Sequence, residues 1–270
     1  MFIARLATAV ILLAACVAGI FFLPNRWWAG LLLPALLLAS WEWAVLAGFS
    51  RSQRWAFACV VVASAILIGF TASDAVPYLL PGNEVAIYAA ALAFWVLIAV
   101  PWLAQGWRIR SAVAMGITGW VVLVPTWLAL AHLQSEPEKL LALLGILWLS
   151  DTAAYGAGRA WGSHKLAPGI SPGKTWEGVA GAAAAVAVYY VALSFATPHW
   201  GWWNGIGGAI LFASVALAGM LGDLFESWVK RQAGVKDSGT LLPGHGGVLD
   251  RIDSMTSGLP IAALLLPYAA

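Results

Sequence analysis

The sequence predicts an all-α, polytopic integral membrane protein with about nine transmembrane helices. Hydrophobic residues make up 62% of its 270 positions, and the mean hydropathy is +0.85. Apolar runs of about 20 residues, the length that crosses a bilayer as a helix, recur from end to end. The runs are continuous rather than alternating, which excludes a transmembrane β-barrel.

The spans fall at 5–24, 27–48, 54–73, 84–104, 112–133, 139–158, 176–197, 205–229 and 251–269. Short connections leave room for one membrane domain (1–270), with N-terminal helices at 1–138 and chemistry-bearing helices at 139–270. In the first span, Leu13-Ala14-Ala15-Cys16 resembles a lipoprotein cleavage box, but the run stays apolar beyond Cys16, so an uncleaved span is expected. Cys16 and Cys59 both lie in apolar runs and read as buried small hydrophobes without metal or redox spacing. The second span carries one acid, Glu42, between Trp41 and Trp43. An intramembrane carboxylate marks a functional candidate; Glu42 either touches substrate or lies near enough to the interface to be hydrated. Tryptophans near span ends, such as Trp27, Trp28, Trp102, Trp107, Trp200, Trp202 and Trp203, read as interface anchors.

Basic residues set the orientation. Of the 14 Lys and Arg, only Arg26 and Lys139 fall on one side of the predicted bilayer. The rich side, with the N-terminus, is therefore expected in the cytoplasm and the C-terminus outside, in a cell inner membrane.

The second half holds most of the chemistry. Asp151, Tyr155 and Arg159 share one face where span six leaves the membrane. The next loop, containing Ser171, Lys174 and Thr175, is one residue short of a P-loop. Pro168 and Pro172 restrict it, and no strand is expected before it, so a Walker fold is rejected. Lys174 and the helix start at Thr175 remain anion ligands. Glu177 is either a dipole-favoured helix acid or a site member. Gly178, Gly181 and an alanine run make span seven a close-packing helix.

From Asp223 to Asp253 stand nine charged residues, in a chain only 10% charged. Asp223, Glu226 and Lys230 share a helical face, and Asp250 and Asp253 open span nine. Between them Leu242-Pro243-Gly244-His245-Gly246-Gly247 permits a sharp re-entry and close backbone approach. Several carboxylates suit a hard cation such as Mg²⁺, which uses one or two of them together with phosphate oxygens; the surrounding bases suit phosphates.

The segment from Ser227 to Asp253 resembles the signature of the phosphatidate cytidylyltransferase family. The match rests on Ser227, Lys230-Arg231, Lys236-Asp237, Leu242-Pro243, His245-Gly246-Gly247 and Asp250-Arg251-Ile252-Asp253. SDTAAYGAGR and PGISPGKTWEG are also similar to family motifs, so the resemblance spans about residues 148–270. It implies cytidylyl transfer from CTP to phosphatidate at the cytoplasmic side of the C-terminal half, metal dependence and a homodimer. It also implies that Asp223 and Asp250 hold metal, with Ser227, Lys230, Arg231 and Asp253 in the same site. Asp151 is expected as a further metal ligand, and one or two ions are expected. Lys174, Lys236, Arg251, Arg159 and Ser171 are expected to bind substrate phosphates; His245 either joins them or shapes the turn. Partners are then CTP, phosphatidate and the bilayer, and no nucleic acid. The alternative is a CTP-dependent lipid kinase of the polyprenol type, or a cytidylyltransferase acting on another lipid phosphate.

Overall fold

The structure, a computed structural model, describes residues 14–72, 83–197, 205–241 and 246–269. Within them the chain is helical except for one small hairpin and the connecting loops. The helices are α1 (14–22), α2 (Asn25–Leu46), α3 (Arg51–Ala72), α4 (Asn83–Phe94), α5 (Val100–Gln105), α6 (Ala112–Leu133), α7 (Pro137–Trp161), α8 (Trp176–Ala196), α9 (Gly205–Gln232) and α10 (Leu249–Leu265). A π turn at Trp95–Ala99 joins α4 to α5. Pro101 explains its place: it lacks an N–H, and its ring excludes the carbonyl four residues back, so the ladder widens there.

Among the described residues, seven helices are long and apolar enough to cross a membrane, with α4 and α5 forming one of them. The expected nine are not reached. The first expected span lies mostly outside the described residues. The ninth is α10, only 17 residues long, because its first turn is charged and cannot extend the apolar run. Instead α10 is the hub of the bundle, packed against α2, α4, α6, α7 and α9. Small residues let it approach closely: a Cβ on Gly222 of α9 would collide with Ser257 and the backbone of Asp253.

The tryptophans expected as interface anchors divide. Trp27 and Trp107 are exposed, but Trp28 and Trp102 are buried. Their indoles donate to Leu130 O (2.9 Å) and Trp107 O (2.8 Å), and an indole satisfied internally can be buried whole. Trp200, Trp202 and Trp203 lie outside the described residues. Cys59 also departs from expectation: it is exposed, and Cys16 is half-buried. The helix bearing Cys59, α3, packs on α2 and α6 and leaves its remaining flank for lipid.

The absence of a strand before Lys174 is corrected too. β1 (Lys165–Ala167) and β2 (Ser171–Thr175) pair antiparallel, with Lys165 opposite Thr175 and Ala167 opposite Ser171. Pro168 and Gly169 supply the turn, and Pro172 is tolerated because both strands are edges. Thr175 then caps α8, accepting from Gly178 N at 3.1 Å. Close approach of α8 to α7 depends on Gly181, where a Cβ would collide with Ala157.

The end of α9 that carries the charged residues is held rigidly. Phe225 meets Phe94, Trp95 and Trp102 edge-on at 5.7, 5.4 and 5.2 Å. One turn beyond, Trp228 Nε1 donates to Trp107 O (3.0 Å), and Gln232 exchanges two hydrogen bonds with the backbone of Ile109. Aromatic packing and strapping together fix where Asp223, Glu226 and Lys230 point.

Candidate active site

At one pole of the bundle the end of α7, the hairpin, the start of α8 and α9 enclose a cavity of about 330 Å³. Asp151, Tyr155, Arg159, Ser171, Lys174 and Asp223 line it. This volume falls at the small end of ligand pockets. The face predicted on α7 is formed: Arg159 Nη1 donates to Tyr155 Oη at 3.0 Å, and both line the cavity with Asp151. From β2, Lys174 Nζ reaches Asp223 Oδ2 at 2.6 Å. Ser227, one turn along α9, donates to the other oxygen, Asp223 Oδ1, at 3.4 Å. The hairpin therefore delivers a cation to a carboxylate that α9 presents from the opposite wall.

A second ion pair lies deeper. Lys230 Nζ stands 2.6 Å from Asp250 Oδ1, their side chains 11% and 6% exposed. Asp250 Oδ2 accepts from Gly247 N (2.8 Å), Ser238 N (2.9 Å) and Ser238 Oγ (3.0 Å). Both oxygens are satisfied, which a buried carboxylate requires. Lys230 also lies 3.3 Å from Glu226 Oε1, but no hydrogen bond of proper alignment forms there. The Glu226 contact is Coulombic, whereas that to Asp250 is a charge-assisted hydrogen bond.

Carboxylates predominate between these two pairs. Asp151 and Asp253 both stand close enough to Asp223 for their charges to interact, with Lys174 and Lys230 as the nearby cations. A hard oxygen donor set with surplus negative charge fits a divalent cation. Among the described residues, however, no three of His, Cys, Asp or Glu converge on one point as ligands. The fit is therefore to an ion held by one or two carboxylates and completed by phosphate oxygens, the usual habit of Mg²⁺.

Other expected residues are placed differently. Arg231 turns to backbone, donating to Ile170 O (3.3 Å) and Val235 O (3.2 Å), and so ties α9 to the hairpin turn. Lys236 and Arg251 are exposed at the same pole. His245 lies outside the described residues. Glu177 is the acid in the first turn of α8, as the first of its two expected roles has it, and it does not line the cavity. It accepts from Ser163 Oγ (2.7 Å) and His164 N (3.2 Å) and meets His164 Nδ1 (2.7 Å), anchoring the chain that enters the hairpin.

Two residues matter more than the motif suggested. Glu42, far from the signature in sequence, is 7% exposed. It accepts from Val248 N (3.0 Å), Leu249 N (2.8 Å) and Ser238 Oγ (3.0 Å). It is thus neither hydrated nor in the cavity. Its presence in an apolar run was visible in the sequence, but its partners were not. Ser238 occupies an unspecified position of the signature and gave no signal of its own.

The chain matches the Cytidylyltransferase family over residues 3–269. It is 37% identical over 278 aligned residues to the phosphatidate cytidylyltransferase of Pseudomonas aeruginosa, covering 97% of this chain and 96% of that one. It is 33% identical over 278 residues to that of Haemophilus influenzae, covering 95% of each. To that of Brucella suis it is 50% identical over 129 residues, 47% of this chain and 45% of the relative.

Proposed function

The chain belongs to the cytidylyltransferase family, and from that premise we propose that it transfers the cytidylyl group of CTP to phosphatidate, giving CDP-diacylglycerol and pyrophosphate. The observation that carries this reading is the juxtaposition of Lys174–Asp223 and Lys230–Asp250 at one pole of a membrane-spanning bundle. Cations and carboxylates alternate there at the ends of apolar helices, where a lipid phosphate and a nucleotide can meet.

The chemistry is an exchange at phosphorus. A phosphatidate oxygen attacks the α-phosphorus of CTP, a new P–O–P bridge forms, and the bond to the β-phosphate oxygen breaks to release pyrophosphate. With a second phosphate pKa of about 6, the attacking oxygen is already anionic at neutral pH. No general base is needed, and the barrier is repulsion between anions. Catalysis then consists of alignment and charge neutralisation. Lys174, Arg159 and Ser171 approach phosphates from the cavity wall, and Lys230 does so from α9. Lys236 and Arg251 add positive potential at the rim. One or two of Asp223, Asp151 and Asp250 would hold Mg²⁺, Asp250 through Oδ1, the oxygen that Lys230 rather than the turn engages, with Asp253 behind them. Bound there, the ion would act as a Lewis acid that draws charge from the phosphates.

The excess of Lys and Arg on the side that carries the site supports a cytoplasmic N-terminus and active site in a bacterial inner membrane. A homodimer is proposed on family resemblance alone.

The test uses purified protein, phosphatidate, Mg²⁺ and CTP labelled separately at the α- and γ-phosphates. An α-label entering lipid while the γ-label leaves as pyrophosphate establishes the reaction. A γ-label in lipid would instead mean a kinase.

A further inference from the structure

Val248 stands at the N-cap of α10 and offers no side-chain acceptor. The first amides of a helix need acceptors when buried, and here they find one more than 200 residues away in the chain. Glu42 Oε1 takes Val248 N at 3.0 Å and Oε2 takes Leu249 N at 2.8 Å. The preceding amide, Gly247 N, goes to Asp250 Oδ2 at 2.8 Å. Two carboxylates from opposite ends of the chain therefore divide three consecutive N–H groups of the signature turn.

They are also joined by a single proton. Ser238 Oγ lies 3.0 Å from Glu42 Oε2 and 3.0 Å from Asp250 Oδ2. A hydroxyl donates once, so whichever carboxylate receives it sets what the other must take from the backbone. Gly239 and Gly247 leave the space for this arrangement, since a Cβ on either would press on Glu42. The mount is stiff: Trp43, beside Glu42, donates to Met115 O at 2.9 Å and locks α2 onto α6.

We propose that Glu42 is a positioning residue for cytidylyl transfer, acting through Ser238 and the Gly247–Leu249 amides to fix the aim of Asp250. It touches neither the cavity nor Lys230. The inference rests on the reaction assigned above and adds to it a requirement located in the N-terminal half of the chain.

The test is a double-mutant cycle on the full-length protein with CTP, phosphatidate and Mg²⁺, using Glu42→Gln, Ser238→Ala and both together. Glutamine keeps the volume but turns an amide toward a donor, so the turn shifts without a cavity forming. A shift of this kind near reacting groups is expected to lower kcat by about 10- to 100-fold while KM for CTP stays within about threefold. Because both residues act on one carboxylate, the double variant should fall no more than about threefold below the worse single. A Glu42→Gln kcat within threefold of wild type, a loss confined to KM, or effects of the two changes that multiply would each overturn the proposal. Should Glu42→Gln not fold, Glu42→Asp takes its place, since a carboxylate one methylene shorter draws back from the Val248 and Leu249 amides: kcat down by at least about fivefold at unchanged KM supports the proposal, and a wild-type rate overturns it. Absence of transfer by the wild-type protein would overturn the assigned reaction as well, so the two failures are distinguishable.

Discussion

Lys230 and Asp250, twenty positions apart in the chain, lie 2.6 Å from each other, and both are nearly excluded from solvent. Their pairing closes the signature segment on itself and places the end of α9 beside the start of α10. A buried pair is costly to break from one side because the remaining charge is left unmet. Replacing Lys230 by Ala is therefore expected to destabilise the protein by about 3–5 kcal/mol as well as to remove activity. A thermal melt in detergent checks the first effect and cytidylyl transfer the second.

Asp250→Asn should reduce turnover at least about 100-fold in a protein that still folds. An asparagine oxygen can keep the Gly247 and Ser238 donors, but the side chain loses the charge that answers Lys230 and the proposed ion. Near-wild-type transfer by a well-folded variant would refute the role assigned to Asp250.

Lys174 and Asp223 form the contrasting pair. Both side chains are about a quarter exposed, at 24% and 26%, and a pair so open to solvent contributes only about 0–1 kcal/mol. Lys174→Gln should leave the melting temperature nearly unchanged yet lower kcat/KM by about 10- to 100-fold, since the ammonium is directed at phosphates. Steady-state kinetics set beside a melting curve separates the two readouts.

Glycines along the packed helices should sort by their neighbours. Gly222→Ala would drive a methyl into Ser257 and the Asp253 backbone, and overpacking of this kind costs about 1–3 kcal/mol. Gly156→Ala, where nothing lies within 4 Å, should be neutral or stabilising by up to about 1 kcal/mol, because Ala is the better helix former. Paired melts of the two variants test the packing of α9 on α10.

Chelation should abolish transfer, and added Mg²⁺ should restore it, with a higher midpoint in Asp223→Asn than in wild type. Orientation is read separately, with Cys16 and Cys59 replaced by Ala. A cysteine introduced at Lys236 should react with an impermeant thiol reagent only in inside-out vesicles, and one at Glu136 only in right-side-out vesicles.

Much of this protein was legible along the chain because its causes are local. Apolar run lengths placed α6 at 112–133, the very residues that form it, and placed α8 to within a residue. Helical spacing put Asp151, Tyr155 and Arg159 on one face, and the clustered charge pointed to the pole where the cavity lies. Other features depend on contacts distant in sequence. The burial of α10 follows from the five helices that surround it. Trp28 is a core residue because Leu130 O, on α6, meets its indole, and Trp102 because Phe225 of α9 packs edge-on against it. The hairpin is the exception, a local pairing that Pro168 and Pro172 hid because proline argues against a strand and is tolerated only at an edge. Glu42 is the clearest case: composition marked an acid in an apolar run, but only the tertiary structure brought α2 to the first amides of α10. A carboxylate's role is set by the donors that reach it, and those donors lie in a turn that closes more than 200 residues later.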